Sequence, residues 1–241
     1  MLMKLQADHL YDVLIVGAGL AGSEAALACA ALGLDTLLVT TILDSSYTLF
    51  TESARLKPLP ETFMQKALAN LVDSEVIKAW DLHRAAKYAL EHSPRLHCLQ
   101  SNVSGLIVQD DKVLGVDTWE GVPRFAKRIV LCVGSFLEAR LTLGILQEKA
   151  GRLSEMTYDD LYDDLCLRGF QFESLSLEAA SQPPYKVDCK VFAKGEIDTQ
   201  EFCAKHLQNL YAAGLCAFGQ VTYEQAALQG KHLALSLAKG L

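Results

Sequence analysis

The sequence has no apolar run long enough to cross a membrane. A transmembrane helix needs about 18 consecutive apolar residues, and the longest apolar stretch, residues 14–34, is interrupted by Gly17, Gly19, Gly22 and by the polar pair Ser23 and Glu24. Residues 1–11 are partly polar and no cleavage pattern follows them, so a signal peptide is not predicted. We therefore expect no membrane partner.

Positive charge is also scarce. The chain has 22 Lys and Arg against 29 Asp and Glu, which gives a net charge of −7, and it contains no dense basic run. A protein that binds nucleic acid by itself needs clustered positive charge facing the phosphate backbone. The composition therefore argues against direct binding of nucleic acid without a partner.

Cysteine and histidine patterns for disulfides or metals are missing. The seven cysteines are an odd number with no C-x-x-C pair, and the six histidines form no pair with ligand spacing. This excludes a disulfide framework, a zinc knuckle and a thioredoxin-type dithiol, and it predicts no metal site. Buried thiols of this kind are typical of the reducing cytoplasm, which is the predicted location.

What the sequence does contain, at its start, is a strand–helix–strand unit. Residues 13–16 form a continuous apolar run, as expected for a strand buried on both faces of a parallel sheet. Residues 20–32 are rich in Ala and Leu and predict a helix, which Gly33 ends. Residues 35–40 predict a second buried strand.

The rest of the chain predicts an α/β fold: a Rossmann-like parallel sheet with a β-meander, plus a small mixed subdomain. We predict that residues 1–134 and 206–241 form the nucleotide-binding domain and that residues 135–205 form the inserted subdomain. Three further helices are predicted at 63–71, at 74–92 with Ser74 as N-cap, and at 158–167, an acidic helix with leucines at 161, 165 and 167 that Gly169 ends. Strands are predicted at 96–100, 105–108, 113–118 and 128–133 and within 170–198, whereas residues 134–151 are predicted to be irregular with short helical stretches. The last predicted elements are a strand at 209–213, a loop from Gly214 and a helix over about 223–239.

Gly17, Gly19 and Gly22 form the pattern G-x-G-x-x-G between the first strand and the first helix, the context that a dinucleotide fingerprint requires. Gly17 allows the tight turn, Gly19 leaves room for a pyrophosphate, and Gly22 lets the helix pack close to the strand. The free N–H groups of the helix then face the anion.

The acidic residue that usually binds the ribose is missing from the end of the second strand, where Val39, Thr40 and Thr41 stand instead. These residues leave NAD and FAD both open. The predicted meander, common in flavin-binding Rossmann domains, favours FAD. So does a C-terminal helix that starts near Tyr223 and could aim its amides at a flavin or a phosphate.

Five stretches resemble the FAD-binding domain of the GidA/MnmG family, the glucose-inhibited division proteins. They are DVLIVGAGLAGSEAALACAALGLDTLLVT, DLHRAAKYALEH, LIVQDDKVLGV, AKRIVLCVGSFLEARLTLG and NLYAAGLCAFGQVTYEQAALQG. In that family FAD serves carboxymethylaminomethyl modification of the wobble uridine of tRNA. The resemblance implies FAD as cofactor and a threonine at the end of the second strand.

The resemblance also implies a set of cofactor-binding residues, without assigning a catalytic residue. The glycine turn would hold the pyrophosphate, the threonines would lie near the adenosine ribose, Val103 would contact adenine through its backbone, and the C-terminal residues would lie near the ribityl chain and flavin. In chain order the set is Gly17, Ala18, Gly19, Leu20, Ala21, Gly22, Thr40, Thr41, Val103, Cys132, Val133, Gly134, Gly214, Leu215, Tyr223, Glu224, Gln225 and Ala226.

The sequence departs from the family pattern in two ways. Ser46 to Ser53 stands where the family has a cysteine-containing segment associated with catalysis, and the family's nicotinamide-binding insertion and tRNA-binding helical region have no counterpart. We therefore expect a short GidA-related flavoprotein, an FAD-dependent oxidoreductase. One alternative is a non-catalytic flavin module that docks a protein partner or forms a homo-oligomer. Another is a component of tRNA modification.

Several other side chains were weighed as functional candidates. Cys132 and Cys216 could be redox-active thiols near the flavin, although small apolar fillers are commoner. Arg55 and Lys57 could stabilise reduced anionic flavin or be solvated loop charges. Glu224 is better explained as complementing a helix dipole. His83 and His92 are expected at the surface or at a cap.

Overall fold

The computed structural model of the chain describes residues 9–57, 59–71 and 76–239. Within them the helices are α1 (Leu20–Ala31), α2 (Phe63–Leu71), α3 (Ala79–His92), α4 (Asp159–Leu167), α5 (Leu215–Phe218) and α6 (Tyr223–Ala238). The strands are β1 (Leu10–Val16), β2 (Thr36–Thr40), β3 (Ser53–Ala54), β4 (Ile77–Lys78), β5 (Leu96–Gln100), β6 (Val103–Gln109), β7 (Lys112–Thr118), β8 (Arg124–Leu131), β9 (Leu137–Leu143), β10 (Leu146–Glu148), β11 (Ala150–Arg152), β12 (Glu155–Met156), β13 (Phe172–Ala179), β14 (Tyr185–Phe192) and β15 (Leu210–Ala212).

The main sheet has the order β5-β2-β1-β8-β7-β6, and β15 also pairs with β8. Strands β5, β2, β1, β8 and β15 are parallel, whereas β6, β7 and β8 form an antiparallel meander. The central strand β1 is buried on both faces, as its continuous apolar run predicts. The predicted Rossmann-like fold class with a meander is confirmed.

Helices α1 and α6 pack together on one face of this sheet. Gly230 of α6 makes the close approach possible, because a Cβ atom there would lie 2.1 Å from the Ala21 carbonyl oxygen. The small side chains of α1, mostly alanine, fill the narrow space between the sheet and α6. Small residues rather than an amphipathic stripe therefore place the start of α1 at the sheet edge.

A second sheet, of order β10-β9-β14-β13, is antiparallel throughout. Residues 134–151 were predicted to be irregular with short helices, which is wrong, because β9 and β10 lie within them. The signal was present in β9, where Leu137, Ala139 and Leu141 are buried and alternate with Glu138 and Arg140. The division of the chain into two domains stays a prediction.

Several details differ from the sequence prediction. The predicted N-cap Ser74 lies outside the described residues, and α3 begins only at Ala79, after the short strand β4. The loop predicted from Gly214 contains the short helix α5. In α4, Leu161 and Leu165 are buried but Leu167 is exposed, since it falls on the solvent side of the last turn.

No helix among the described residues is both long enough and apolar enough to span a bilayer.

Candidate functional site

A cleft of about 450 Å³ opens where the parallel strands end, at the start of α1. Ligands of open α/β sheets bind at this edge, because the strand ends and helix N termini converge there. From the sequence-predicted set, the cleft is lined by Gly17, Ala18, Gly19, Leu20, Ala21, Thr40, Thr41, Cys132, Val133, Gly134, Gly214, Leu215, Tyr223, Glu224 and Ala226. Gly22, Val103 and Gln225 are outside this lining.

The three glycines of the fingerprint have different surroundings. Gly17 has a φ of +98°, and a Cβ atom there would lie 2.4 Å from the Cys132 carbonyl oxygen. A Cβ atom on Gly22 would lie 1.9 Å from the Gly17 carbonyl oxygen. A Cβ atom on Gly19, in contrast, would meet nothing within 4 Å. Gly17 and Gly22 are thus required by the protein itself, whereas Gly19 faces open space in the cleft.

The N terminus of α1 is uncapped. Gly19 is the N-cap residue and supplies no side-chain hydrogen bond, and the first turn contains no acidic residue. The first N–H groups of any helix lack partners within the helix and carry partial positive charge. Since Ala18, Gly19, Leu20 and Ala21 all line the cleft, this arrangement fits a bound diphosphate.

Thr40 and Thr41 lie at the end of β2, where a nucleotide ribose is bound in Rossmann folds. Thr40 is buried, and its carbonyl oxygen accepts a hydrogen bond from the Ser101 amide at 2.9 Å. Both threonines line the cleft, in the slot that the missing acidic residue leaves.

Cys132 and Cys216 are buried thiols. Burial raises the pKa of Cys132 well above its ordinary value and raises the pKa of Cys216 to about 11. The reactive form of cysteine is the thiolate, and both side chains therefore stay protonated near neutral pH. The structure favours the apolar-filler interpretation over a redox role for both residues.

Two glutamines of the C-terminal stretch, Gln225 and Gln229, support the cleft rather than line it. The Gln229 side chain accepts a hydrogen bond from the Gly214 amide at 3.0 Å. Gln225 forms a capping box with Thr222: its amide donates to the Thr222 hydroxyl, and its side chain accepts from the Thr222 amide. The α6 N terminus therefore uses the Gln225 amide internally, which corrects the expectation that this amide faces a ligand.

Tyr223 and Glu224 hold the rim loop, residues 46–57, against the start of α6. The Tyr223 hydroxyl oxygen accepts a hydrogen bond from the Phe50 amide at 3.0 Å, and a Glu224 carboxylate oxygen accepts one from the Lys57 amide at 2.9 Å. Burial raises the pKa of Glu224, but hydrogen bonds from the Lys57 amide, its own amide and the Thr222 hydroxyl, together with the Lys57 charge, outweigh burial, and the pKa is lowered overall. Glu224 therefore does more than complement the helix dipole.

Sequence reasoning missed one part of the cleft lining. This part is a hairpin formed by residues 150–156, which we call the roof hairpin. Arg152 and Glu155 of this hairpin line the cleft, and their side chains are 15% and 11% exposed. One guanidinium nitrogen of Arg152 lies 3.5 Å from the Glu155 carboxylate. Tyr158, just after the hairpin, is fully buried and also lines the cleft.

Glu24 on α1 is a second residue that sequence reasoning missed. It is 1% exposed, and its carboxylate accepts hydrogen bonds from the Tyr47 hydroxyl and from the amides of Phe63 and Met64. Burial raises the pKa of Glu24, and these three donors oppose the rise. The residue therefore fastens the start of α2 and the rim loop to the helix that begins at the cleft. A charged residue inside an Ala-rich helix was the available signal.

The remaining candidates separate by position. Val103 is fully buried in β6, and its predicted backbone contact with adenine stays a prediction. Arg55 lines the cleft. His83 was expected at the surface but is buried, with its Nδ1 2.6 Å from the Ser46 carbonyl oxygen, because that face of α3 packs on the rim loop. His92 is exposed and stacks on Tyr88.

Fold and cleft together define a Rossmann-like dinucleotide-binding protein. A model of the family described as glucose inhibited division protein A matches residues 12–85 and 63–188. The crystal structure of the GidA-related protein from Thermus thermophilus is 39% identical, with a TM-score of 0.88, and the match covers 97% of this chain and 100% of that one. The chain belongs to the glucose-inhibited division protein A family.

Other relatives are longer. The tRNA uridine 5-carboxymethylaminomethyl modification enzyme MnmG of Lactobacillus delbrueckii subsp. bulgaricus is 32% identical over 195 residues, which are 70% of this chain and 31% of that enzyme. GidA of Aquifex aeolicus shares the fold, with a TM-score of 0.81 at 16% identity over 95% of this chain and 63% of that one. The chain thus spans about a third of the length of this curated relative. The family consists of FAD flavoproteins, which confirms the predicted cofactor, FAD.

Proposed function

We propose that this protein is a short flavoprotein oxidoreductase of the GidA family, which holds FAD in the cleft at the start of α1. The observation that carries the proposal is the uncapped N terminus of α1 beside Gly19, the one fingerprint glycine whose missing side chain leaves open space. A diphosphate is the group that such an arrangement binds best.

The cleft residues divide the work of binding. The amides of α1 would hold the pyrophosphate, and a hydroxyl of Thr40 or Thr41 would bond the adenosine ribose. Gly214 and Tyr223 also line the cleft. The ribityl chain and the flavin would lie near these two residues. The flavin supplies electron or hydride transfer when bound, and the protein supplies orientation and electrostatics.

The test is cofactor loading. We expect the purified protein, soaked with FAD, to show a flavin absorbance spectrum and to release FAD on denaturation. Gly19→Asp should lower FAD affinity at least about 100-fold, or about 2.8 kcal/mol, because a carboxylate would face the diphosphate. Since a Cβ atom at Gly19 meets nothing within 4 Å, the variant should unfold at the same urea concentration as wild-type apoprotein.

Gln200→Asp is the matched control, because it adds the same charge to an exposed turn outside the cleft lining, at a residue without a positive φ. It should bind FAD like the wild type. A protein that stays colourless after soaking, or a Gly19→Asp variant that loads FAD normally, would contradict the proposal. Rapid bleaching of the flavin by NADH or NADPH would favour an oxidoreductase over a non-catalytic flavin module. We place the protein in the cytoplasm, in keeping with its free thiols.

Family membership favours a second candidate, a component of tRNA uridine modification that acts with a protein partner. The net charge of −7 makes tRNA retention by this chain alone unfavourable. Salt-sensitive retention of tRNA by the purified chain in a filter-binding assay would support an autonomous tRNA-modifying role instead.

A further inference from the structure

The roof hairpin brings one arginine into the cleft in a fixed position. The Arg152 guanidinium lies 4.8 Å from the centre of the Phe50 ring, and one of its NH2 groups donates a hydrogen bond to the Thr48 carbonyl oxygen at 3.1 Å. A second nitrogen lies 3.5 Å from the Glu155 carboxylate. The hairpin itself is attached to the strand ends, because the Ser135 hydroxyl donates to the Gly151 carbonyl oxygen at 3.0 Å.

One nitrogen of this arginine, Nε, is buried and has no hydrogen-bond partner among the residues that the structure describes. A buried donor without a partner costs about 1–3 kcal/mol, so a group that enters the cleft with an acceptor gains by meeting it. Arg152 is therefore held by Phe50, Thr48 and Glu155, and its Nε–H can still donate a hydrogen bond.

Its neighbours place Arg152 on the α6 side of the cleft. Phe50, which its guanidinium covers, donates its amide hydrogen bond to Tyr223 at the start of α6. The threonines at the end of β2 mark the other side, where the ribose of the adenosine belongs. If the diphosphate lies between the β2 side and the α6 side of the cleft, Arg152 would lie toward the flavin end of the cofactor.

We propose that Arg152 is a positioning residue whose fixed charge stabilises the negative charge that the flavin ring takes up on reduction, and that Glu155 opposes it. This inference rests on the proposed function. Two electrons and one proton from an external reductant convert the oxidised ring into its reduced monoanion. The guanidinium gives up no proton, since it stays charged throughout, and it acts only through its field, which is strong because the group is largely withheld from water.

Sulfite is a probe of this field that needs neither reductant nor turnover. Its lone pair forms a nitrogen–sulfur bond with the oxidised flavin ring, and the ring takes up the negative charge. We expect Arg152→Met to weaken sulfite binding about tenfold. The same tenfold change in the oxidised/reduced equilibrium is a fall of about 30 mV in the two-electron midpoint potential. Arg152→Lys keeps the charge and should stay within about threefold of wild type.

Glu155→Gln separates the electrostatic role from a structural one. It removes the same ion pair as Arg152→Met, yet it should tighten sulfite binding and raise the potential, because it removes the opposing charge. Lys112→Met is the control for exposed charge, since the Lys112 side chain is exposed and outside the cleft lining. We expect it to bind sulfite within about twofold of wild type.

The outcomes distinguish this inference from the proposed function. Wild-type protein that binds no FAD contradicts the proposed function. FAD-loaded Arg152→Met with wild-type sulfite affinity overturns the role of Arg152, and so do shifts of Arg152→Met and Glu155→Gln in the same direction. If Arg152→Met does not fold, unchanged sulfite affinity in Glu155→Gln is by itself enough to overturn it.

Discussion

The two walls of the cleft are built in different ways. The corner between β1 and α1, residues 17–22, is continuous in sequence, and its binding groups are backbone amides. The opposite wall combines the rim loop with the roof hairpin, which lie about a hundred residues apart in the chain and meet through contacts such as Arg152 to the Thr48 carbonyl oxygen. It contributes side chains such as those of Arg152 and Glu155 to the lining of the cleft.

This difference separates what folding requires from what ligand binding requires. At the corner, different glycines serve folding and binding. Gly17 and Gly22 face protein atoms and are needed for folding, whereas Gly19 faces the cleft. In the other wall, both requirements fall on the same side chains, which hold the loop together and also line the cleft. Substitutions at the corner should therefore separate stability from binding more cleanly.

The largest effect is expected at Gly22. Gly22→Ala should lower the free energy of unfolding by about 3 kcal/mol, because the new methyl group would lie 1.9 Å from the Gly17 carbonyl oxygen and backbone would have to move. Gly19→Ala, three residues earlier, should leave it within about 0.5 kcal/mol. Urea unfolding of the two apoproteins measures both values, and equal stabilities would contradict the separation at the corner.

A smaller loss is expected at Glu24, which joins the two walls. Glu24→Gln replaces one acceptor oxygen by an NH2 group among three buried donors, so we expect a loss of about 2 kcal/mol. Glu91→Gln makes the same change at an exposed ion pair 3.7 Å from Lys87 and should cost less than about 0.5 kcal/mol. If urea unfolding shows Glu24→Gln to be as stable as wild type, the carboxylate is not what fastens the rim loop.

The smallest effect is expected at Glu224, and it depends on pH. Because its pKa is lower in the folded state than its ordinary value of 4.5, its contribution to stability is present above about pH 4.5 and is lost as the pH falls through the folded-state pKa. Glu224→Gln should therefore cost less than about 1 kcal/mol at pH 7, and it should cost less at about pH 3.5 than at pH 7. Urea unfolding at both pH values checks this, and a difference that does not shrink with acid would rule out the carboxylate.

Much of the parallel sheet was predictable because its signals are local. The apolar run of β1, the Ala-rich α1 and the helix α2 at Phe63–Leu71 follow from residues adjacent in sequence. Strand β9 was missed, although buried and less buried residues alternate along it. The start of α3 was misplaced, since the chain pairs as a strand at Ile77 before the helix begins.

The sequence by itself determined the strand–turn–helix corner and the class of ligand that fits it. Glycine spacing sets the path of the backbone, and the backbone supplies the binding groups there. Only the tertiary structure decided that Arg152 lines the cleft, that Glu24 is buried against α2, and that burial raises the pKa of Cys132 and Cys216. Burial and partner distance control the charge and reactivity of a side chain, and both depend on residues far away in the chain.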